Sequence, residues 1–254
     1  CLDQVRAAIR TRRRELALER ERKAALLEYL FTHGTRGEPT KQTEIGEMPE
    51  SWQVVELGAI AEIAYGLTVN ESRRKSVRRA PYLTVANVSR GALHLDEVKE
   101  IGMLNGDEEN YRLRKGDILF IEGSGNPALL GSAAVWNDEL PFALHQNHLI
   151  RARLDQSVAF PEWVMNYVNS DFGRSQLLGK GKTSSGLHNI NSRVISHIRI
   201  PMPTTLEQQA IVEVLLACDR SSKTIEREIL VLDEFFHALL EELISGHLAV
   251  QSLM

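Results

Sequence analysis

Residues 206–243 have the sequence LEQQAIVEVLLACDRSSKTIEREILVLDEFFHALLEEL. Apolar side chains recur along it at alternating spacings of four and three residues, and only Ser222 breaks the apolar series. That pattern is the heptad repeat of a coiled coil, so we predict one long helix whose apolar seam packs on another helix. The seam residues expected to contact a partner helix are Ile211, Leu215, Ile225, Ile229, Leu232, Phe236, Leu239 and Leu243.

The two ends of this helix also have sequence signals. Thr205 followed by Gln208 can form a capping box, in which each side chain bonds the backbone N–H group of the other residue. Ser245-Gly246 ends the helical pattern because glycine is a common helix terminator.

A second long helix is predicted from Leu2 to about Phe31, where the sequence has no glycine or proline. It ends at THGTRGEP (32–39), which contains two glycines and a proline. ALLEYL at 25–30 resembles ALLEEL at 238–243, although such residues fill many helices by chance. The two helices could pair within one chain or between two chains.

Charge is distributed unevenly along the sequence. Residues 1–35 carry a net charge of +3, residues 36–203 carry −1 and residues 204–254 carry −6. Opposite charges favour pairing of the two helices, while the apolar seam supplies most of the affinity. The overall charge of −4 argues mildly against nucleic acid, but a neutral middle segment can still gather positive charge on one face.

Between the helices, short β-type runs alternate with turns. The runs are WQVVEL, APYLTVANV, GDILFI, SAAVW, HLIRARL and HIRIPMP, and the turns include LNGDEEN and EGSGNP. One helix is expected at 161–178, with Pro161 at its start and Gly179 after its end. We therefore predict an α+β fold in which a strand-rich globular domain (36–204) lies between an N-terminal helix (1–35) and a C-terminal helix (205–247), with a tail at 248–254.

Several classes of protein are not supported by the sequence. No apolar stretch reaches the roughly 18 residues that span a bilayer, and no signal peptide is evident, so we expect a cytoplasmic protein. Cys1 and Cys218 are too few for a disulfide framework or a metal site.

No phosphate loop, HExxH or Gly-x-Ser-x-Gly motif occurs, and Asn126-Pro127-Ala128-Leu129 is better explained as a turn than as a methyltransferase motif. We expect no catalytic residue, no metal ligand and no cofactor, and we expect His145 and His148 to be packed or hydrogen-bonded.

Groups suited to DNA are easier to find. Amides of Asn and Gln match the adenine edge, Arg matches guanine, and Lys, Arg and small hydroxyl residues contact phosphate. Two segments concentrate such groups, the basic run at 71–79 and the glycine-containing run at 179–191, although each could be an ordinary solvated loop. The candidate DNA-binding residues are Arg73, Arg74, Lys75, Asn87, Arg90, Ser124, Asn126, Gln146, Asn147, Lys180, Lys182, Thr183, Ser184, Ser185, His188 and Asn191.

Several stretches resemble one known family, the specificity subunits of type I restriction–modification systems. The stretches occur in the same order as in that family and cover almost the whole chain. They are LFTHGTRG (30–37), KQTEIGEMPESWQVVELGAIAEI (41–63), PYLTVANVSRGALHLDEV (81–98), YRLRKGDILF (111–120), HQNHLIRAR (145–153) and IPMPTTLEQQAIVEVL (200–215).

The resemblance implies a target-recognition domain that recognises one half of a bipartite double-stranded DNA site. It also implies helices that dock modification subunits, which bind S-adenosylmethionine, and a restriction subunit that uses ATP. Members of the family usually have two recognition domains, whereas this sequence has one. Two copies paired as a homodimer would restore a two-domain protein for an interrupted palindrome. By the same resemblance, Trp52 is a core anchor, Gly116-Asp117 is a tight turn, and 206–209 begins the distal helix and helps to seat the partner.

Two alternatives remain open at the level of sequence. The chain could be an enzyme, such as a nuclease or methyltransferase, or it could be a scaffold or toxin-neutralising module that binds through its helices. A scaffold would not need the polar runs 71–79 and 179–191 on one face. The positions of these runs would therefore distinguish a DNA-binding protein from a scaffold.

Overall fold

The computed structural model describes residues 2–180 and 190–245, without the side chains of 178–180. The chain divides into two compact units. The helical unit comprises residues 1–30 and 211–254, and the globular unit comprises residues 31–210.

Two long helices flank a series of short elements. The helices are α1 (Leu2–His33), α2 (Leu57–Ile60), α3 (Glu71–Lys75), α4 (Asp107–Tyr111), α5 (Pro161–Asn169), α6 (Asp171–Lys180), α7 (Ser192–Ser196) and α8 (Thr205–Ile244). The strands are β1 (Thr40–Thr43), β2 (Gly46–Pro49), β3 (Gln53–Glu56), β4 (Ala61–Tyr65), β5 (Arg79–Leu83), β6 (Val88–Ser89), β7 (Ala92–Leu93), β8 (Lys99–Gly102), β9 (Ile118–Ile121), β10 (Ala133–Val135), β11 (Leu144–His145), β12 (Leu149–Leu154) and β13 (Arg199–Met202). This mixture of helix and strand confirms the predicted α+β class, with a strand-rich domain between two long helices.

In the helical unit, α1 and α8 pair in antiparallel directions. Residues that lie later in α1 contact residues that lie earlier in α8, and most of these contacts join a cation of α1 to a carboxylate of α8. The two helices, whose opposite net charges were predicted to favour pairing, thus form ion pairs with each other within one chain. The ion pairs are Arg12–Glu228, Arg13–Asp233, Arg20–Glu226 and Lys23–Asp219.

The heptad seam of α8 faces α1. The Arg6 guanidinium lies 4.9 Å from the ring centroid of Phe236, and an Arg22 nitrogen lies 3.8 Å from the Cys218 sulfur. All the seam residues are buried or half-buried. The large apolar residues of α8 that remain at least half exposed are outside the seam, and they are Leu206, Leu230, Val231, Phe235 and Ile244.

The first turn of α8 differs from the prediction by one residue. The Thr204 hydroxyl accepts a hydrogen bond from the Glu207 N–H at 3.4 Å, and the Thr204 carbonyl accepts the first helical bond from Gln208 N–H. Thr204 therefore caps the helix, in place of the predicted Thr205. The Gln208 side chain does not complete a capping box, because it bonds the backbone of Phe160, Val158 and Pro203.

The globular unit is built on a four-stranded antiparallel sheet in the order β10-β9-β12-β4, which we call the main sheet. All four residues of β9, Ile-Leu-Phe-Ile, are buried. A continuous apolar run of this kind suits a central strand that is covered on both faces. Before β9, Gly116 adopts a φ of +89°, which confirms the tight turn predicted at Gly116-Asp117.

A second sheet has the order β11-β5-β8, with β11 parallel and β8 antiparallel to β5. Three two-stranded pairs complete the unit: β1-β2, β6-β7 and β13-β3. The core includes residues from both sheets, with Leu119, Ile121 and Leu149 of the main sheet packed in one cluster with Leu83 of β5.

The globular unit also contains a cluster of aromatic rings. Trp163 lies edge-on to Phe31 at 4.9 Å and to Trp52 at 5.5 Å, and Phe31 also contacts Tyr167 at 5.2 Å between ring centroids. Trp52 is only 1% exposed, so its predicted position as a core anchor is confirmed.

Two local predictions are wrong. The helix expected at 161–178 is two helices, because the Ser170 hydroxyl donates to the Tyr167 carbonyl and ends α5. The next helix packs so closely that a Cβ at Gly173 would lie 2.4 Å from the Tyr167 carbonyl oxygen. The stretch LNGDEEN, expected as a solvated turn, contains α4 with the buried carboxylate of Asp107.

Candidate nucleic-acid interface

Several chain segments meet at one end of the main sheet. Leu67, just beyond β4, bonds His145 and Asn147 through the backbone, and Glu122, just beyond β9, bonds His148 and Ile190 in the same way. We call this end of the sheet the loop edge. Its polar side chains are Glu122, Ser124, Asn126, Gln146, Asn147, His148 and Asn191.

The hairpin between β9 and β10 contributes a loop with its own internal hydrogen bonds. The Asn126 Oδ1 atom accepts from the Ala128 N–H at 3.0 Å, and the Ser124 hydroxyl accepts from the Asn126 N–H at 3.1 Å. Asn126 thereby caps one turn of 3-10 helix, Pro127–Leu129. Asn126 is exposed and Ser124 is half-buried, so this ordered turn presents polar groups to solvent.

A buried arginine supports the loop from below. Arg174 of α6 donates to the carbonyl oxygens of Ala128 and Leu130, each at 3.3 Å, and is only 8% exposed. Its pKa is lowered, first by burial and then by the nearby charge of Arg90. Sequence reasoning missed this residue, because an arginine within a helix has no distinguishing signal.

Gln146 and Asn147 follow β11 and are held by backbone bonds. Gln146 N–H donates to the Leu83 carbonyl, and Gln146 lies in a parallel bridge with Leu67. The approach of the two segments requires glycine at position 66, where a Cβ would lie 2.2 Å from the His145 carbonyl oxygen. Both amide side chains are half-buried, so each keeps part of its surface for a ligand.

The two histidines beside these amides differ. His145 is buried, its Nδ1–H donates to the Tyr111 carbonyl at 2.9 Å, and burial lowers the pKa of His145 to about 4. His148 is exposed, and its Nδ1 lies 2.9 Å from a carboxylate oxygen of Glu122. Both are hydrogen-bonded, as expected, and Glu122 is a second residue that the sequence analysis missed, although its position after the buried strand β9 could have indicated it.

The basic run at 71–79 is only partly available to a ligand. Its residues 71–75 form α3, and Arg73 points inward to a buried ion pair with Asp107. Arg74 and Lys75 are exposed, and Lys75 also pairs with Glu71 at 2.6 Å. Arg73 therefore has a structural partner where a phosphate contact was expected.

The side-chain amide of Asn87 is also hydrogen-bonded within its own chain. Its Oδ1 accepts from the backbone and hydroxyl of Thr84, and its Nδ2 donates to the carbonyls of His94 and Glu97. It is 3% exposed, so it orders the turn after β5. Arg90, three residues later, is exposed.

Asn191 lies at the loop edge and caps α7, with its Oδ1 accepting from the Val194 N–H at 2.9 Å. The remaining candidates cannot be placed. The side chain of Lys180 and the whole of Lys182, Thr183, Ser184, Ser185 and His188 lie outside the described residues. Whether the runs 71–79 and 179–191 share one face was expected to distinguish a DNA-binding protein from a scaffold. That prediction stays untested, because most of 179–191 lies outside the described residues.

Two of the four residues expected to seat a partner at the start of α8, Glu207 and Gln208, bind the chain itself, whereas Leu206 is 77% exposed. Glu207 accepts hydrogen bonds from the N–H and hydroxyl of Thr35 and from the indole N–H of Trp52. Within residues 2–180 and 190–245, no helix is long and apolar enough to cross a membrane, and no group of three or more His, Cys, Asp or Glu is placed to hold a metal ion.

Comparisons with known proteins agree on one family. A sequence model described as "Type I restriction modification DNA specificity domain" matches residues 49–232. A Methanocaldococcus jannaschii protein assigned as the MjaX specificity subunit of a type I restriction enzyme is 28% identical over 206 residues, which are 80% of this chain and 48% of that protein. The EcoKI specificity subunit of Escherichia coli is 26% identical over 59% of this chain and 32% of its own length. This chain spans about half the length, or less, of these two curated relatives.

Solved structures have the same fold. The crystal structure of the HsdS subunit from Thermoanaerobacter tengcongensis superposes with a TM-score of 0.59 at 18% identity, over 97% of this chain and 56% of that one. The type I restriction-modification S subunit from M. genitalium superposes with a TM-score of 0.56 at 14% identity, over 95% of this chain and 58% of that one. At these identities the likeness concerns the fold.

Proposed function

The chain belongs to the family of type I restriction modification DNA specificity domains, and from this membership we propose that it recognises one part of a double-stranded DNA target through the loop edge. In this proposal the chain contributes binding and no chemistry. S-adenosylmethionine and ATP are bound by the modification and restriction subunits with which it assembles.

The observation that carries the proposal is the grouping of amide and hydroxyl side chains at the loop edge. Ser124, Asn126, Gln146, Asn147 and Asn191 come from three separate segments and meet at one end of the main sheet. Amides offer a donor and an acceptor together, which is the chemistry that distinguishes base edges in the major groove. Backbone bonds hold the segments in place, so little ordering is required on binding.

Cations near the loop edge support contact with phosphate. The short helix α3, which carries the exposed cations Arg74 and Lys75, begins four residues after Leu67, and Leu67 is bridged to Gln146. Arg90 precedes Gly91, whose N–H bonds the Ala133 carbonyl at the base of the β9–β10 hairpin. Exposed cations of this kind supply sequence-independent affinity that weakens as salt increases.

Selection from a randomised duplex pool tests the proposal. The purified chain, with and without its modification subunit, should enrich a short motif at moderate salt. Gln146→Ala and Asn147→Ala should each weaken binding to that motif by about tenfold, while Gln53→Ala, an exposed glutamine of β3, should not. No enrichment under either condition would overturn the proposal.

Two finer parts of the proposal concern assembly. We propose that modification subunits dock on apolar residues of α8 that remain exposed, with Val231 61% and Phe235 50% exposed. Val231→Asp and Phe235→Asp should then abolish co-purification with a modification subunit, and Val77→Asp, at a 96% exposed position of the globular unit, should not. Retained co-purification in both α8 variants would contradict this docking site.

We also propose that two copies assemble into a homodimer that binds an interrupted palindrome. Since α1 of the same chain covers the predicted seam of α8, a dimer through that seam requires the helices to exchange between copies. Sedimentation velocity should detect a dimer in the complex with DNA, and selection should return a doubled motif with a fixed gap. A strict monomer with a single motif would overturn the dimer and leave DNA recognition intact.

A further inference from the structure

The loop at Ser124–Leu129, which we call the reading loop, has a fixed shape although it is at the surface. Its own polar groups close the 3-10 turn, and Arg174 bonds two carbonyl oxygens from the buried side. At the base of the loop, Gly131 has a φ of +71°, and a Cβ there would lie 2.7 Å from the Ile190 Cδ1 atom. The C-terminal half of the loop is therefore held by α6 and packed closely against Ile190.

The buried position of Arg174 is unusual for a charged residue. The residue is 8% exposed and donates to carbonyl oxygens, and it forms no salt bridge with a carboxylate of a described residue. The nearby charge of Asp171 opposes the effect of burial only in part, because the pKa of Arg174 remains lowered. Burying a charge without an ion-pair partner is costly, and proteins keep such groups chiefly where they serve a function. One of the two carbonyls, that of Ala128, belongs to the reading loop, and the other, that of Leu130, follows it directly.

The Asn126 side chain has one half of its amide occupied. Its Oδ1 already accepts from the Ala128 N–H at 3.0 Å, which leaves the Nδ2 donor for a ligand. A donor in the major groove matches the acceptors of guanine, the O4 atom of thymine or the N7 atom of adenine. The turn therefore leaves the donor of the Asn126 amide, and not the acceptor, available to a base.

We propose that Asn126 is a specificity-determining residue that donates from Nδ2 to a base acceptor, and that Arg174 is the positioning residue that fixes the reading loop for this contact. The inference rests on the proposed function, because it assigns base recognition to one loop of the loop edge. Arg90, exposed beside the same hairpin, contacts a phosphate and carries no sequence information.

The Asn126→Asp variant tests the contact directly. Aspartate keeps the cap of the 3-10 turn and replaces the donor with an acceptor, so the fold is retained and the chemistry is inverted. We expect roughly a tenfold or greater loss of preference for the selected motif over a single-mismatch duplex, confined to one base position. Asn137→Asp, in the turn at the opposite end of β10, is the matched control and should leave the preference unchanged.

The Arg174→Lys variant tests positioning. Lysine keeps the charge but loses the fork that reaches two carbonyls, so the dependence of binding on salt should stay constant while the preference for the motif falls about tenfold. Arg90→Ala should weaken binding to motif and mismatched duplex equally and reduce the salt slope by about 0.9. Arg36→Lys, an exposed change after α1, should change neither quantity.

The outcomes separate the two levels of the proposal. If the unaltered chain shows no preference for any duplex, the proposed function fails. If it discriminates and Asn126→Asp discriminates equally well, the reading loop does not contact bases and this inference is overturned. If Arg174→Lys is folded by circular dichroism and keeps full preference, or loses affinity for all duplexes alike, Arg174 is not the positioning residue. Should Arg174→Lys not fold, the Asn126→Asp result still decides whether the loop recognises bases.

Discussion

The guanidinium of Arg73 and the carboxylate of Asp107 form a buried ion pair that joins α3 to α4. Arg73 Nη2 donates to Asp107 Oδ1 at 2.8 Å, and Nη1 bonds the other carboxylate oxygen. Burial opposes ionisation of Asp107, but the hydrogen bonds from Arg73 and from the Leu104 N–H outweigh it and keep the pKa of Asp107 below its usual value. The pair is thus charged at neutral pH.

Removal of one partner should destabilise the globular unit strongly. Asp107→Asn leaves a buried guanidinium without its counter-charge, and we expect the free energy of unfolding to fall by about 3–5 kcal/mol in urea titrations. Glu71→Gln, which breaks the exposed pair with Lys75, is the control and should cost less than about 1 kcal/mol. Equal effects in the two variants would show that the Arg73–Asp107 pair is not desolvated.

Acid should destabilise the protein through His145. The folded pKa is lowered to about 4 from 6.5, so between these values the unfolded chain binds a proton that the folded chain excludes. The free energy of unfolding should therefore fall as pH drops through this window, by about 2 kcal/mol at pH 5 relative to pH 7.5, since one pKa unit corresponds to roughly 1.4 kcal/mol.

The His145→Gln variant isolates this contribution, because glutamine can still donate to the Tyr111 carbonyl but does not titrate. The difference in stability between pH 7.5 and pH 5 should shrink in His145→Gln by that amount, and His148→Gln, an exposed histidine, should keep the full difference. An unchanged pH dependence in His145→Gln would mean that His145 takes up its proton without unfolding.

The cross-helix ion pairs should act on the choice of partner more than on stability. Lys23→Glu or Asp219→Lys alone places like charges opposite each other, and the two together restore attraction across α1 and α8. We expect a coupling energy of about 0.2–1 kcal/mol in a double-mutant cycle, decreasing as salt is added. A coupling that does not respond to salt would contradict an exposed electrostatic contact.

The sequence predicted those features that depend on repeating patterns. The four-three spacing along 206–243 predicted the long helix, and the apolar run GDILFI predicted a strand. Both signals are local and strong, since many residues share one periodicity. The net charges of the two ends similarly predicted which helices pair.

Features that depend on single long-range contacts were not predictable. Arg73 lies in a run of five cations, and its burial follows from an aspartate 34 residues away in a stretch that has the composition of a solvated turn. The burial of Arg174 was not predictable either, because its partners are backbone carbonyls, which every residue has. Asn87, expected at a groove because its amide matches a base, satisfies that amide with carbonyls of its own turn.

The buried carboxylate of Glu207 gives a last test of how the start of α8 is held. Glu207 is 4% exposed, and its carboxylate accepts hydrogen bonds from the Thr35 N–H, the Thr35 hydroxyl and the Trp52 indole N–H. All three contacts therefore require a hydrogen-bond acceptor at position 207. Glu207→Gln keeps the shape but turns one oxygen into a donor that faces another donor. We expect a loss of about 1–3 kcal/mol in the free energy of unfolding, followed by tryptophan fluorescence, with the exposed Glu50→Gln as control. A neutral effect would show that water reaches the carboxylate and compensates for the changed hydrogen bond.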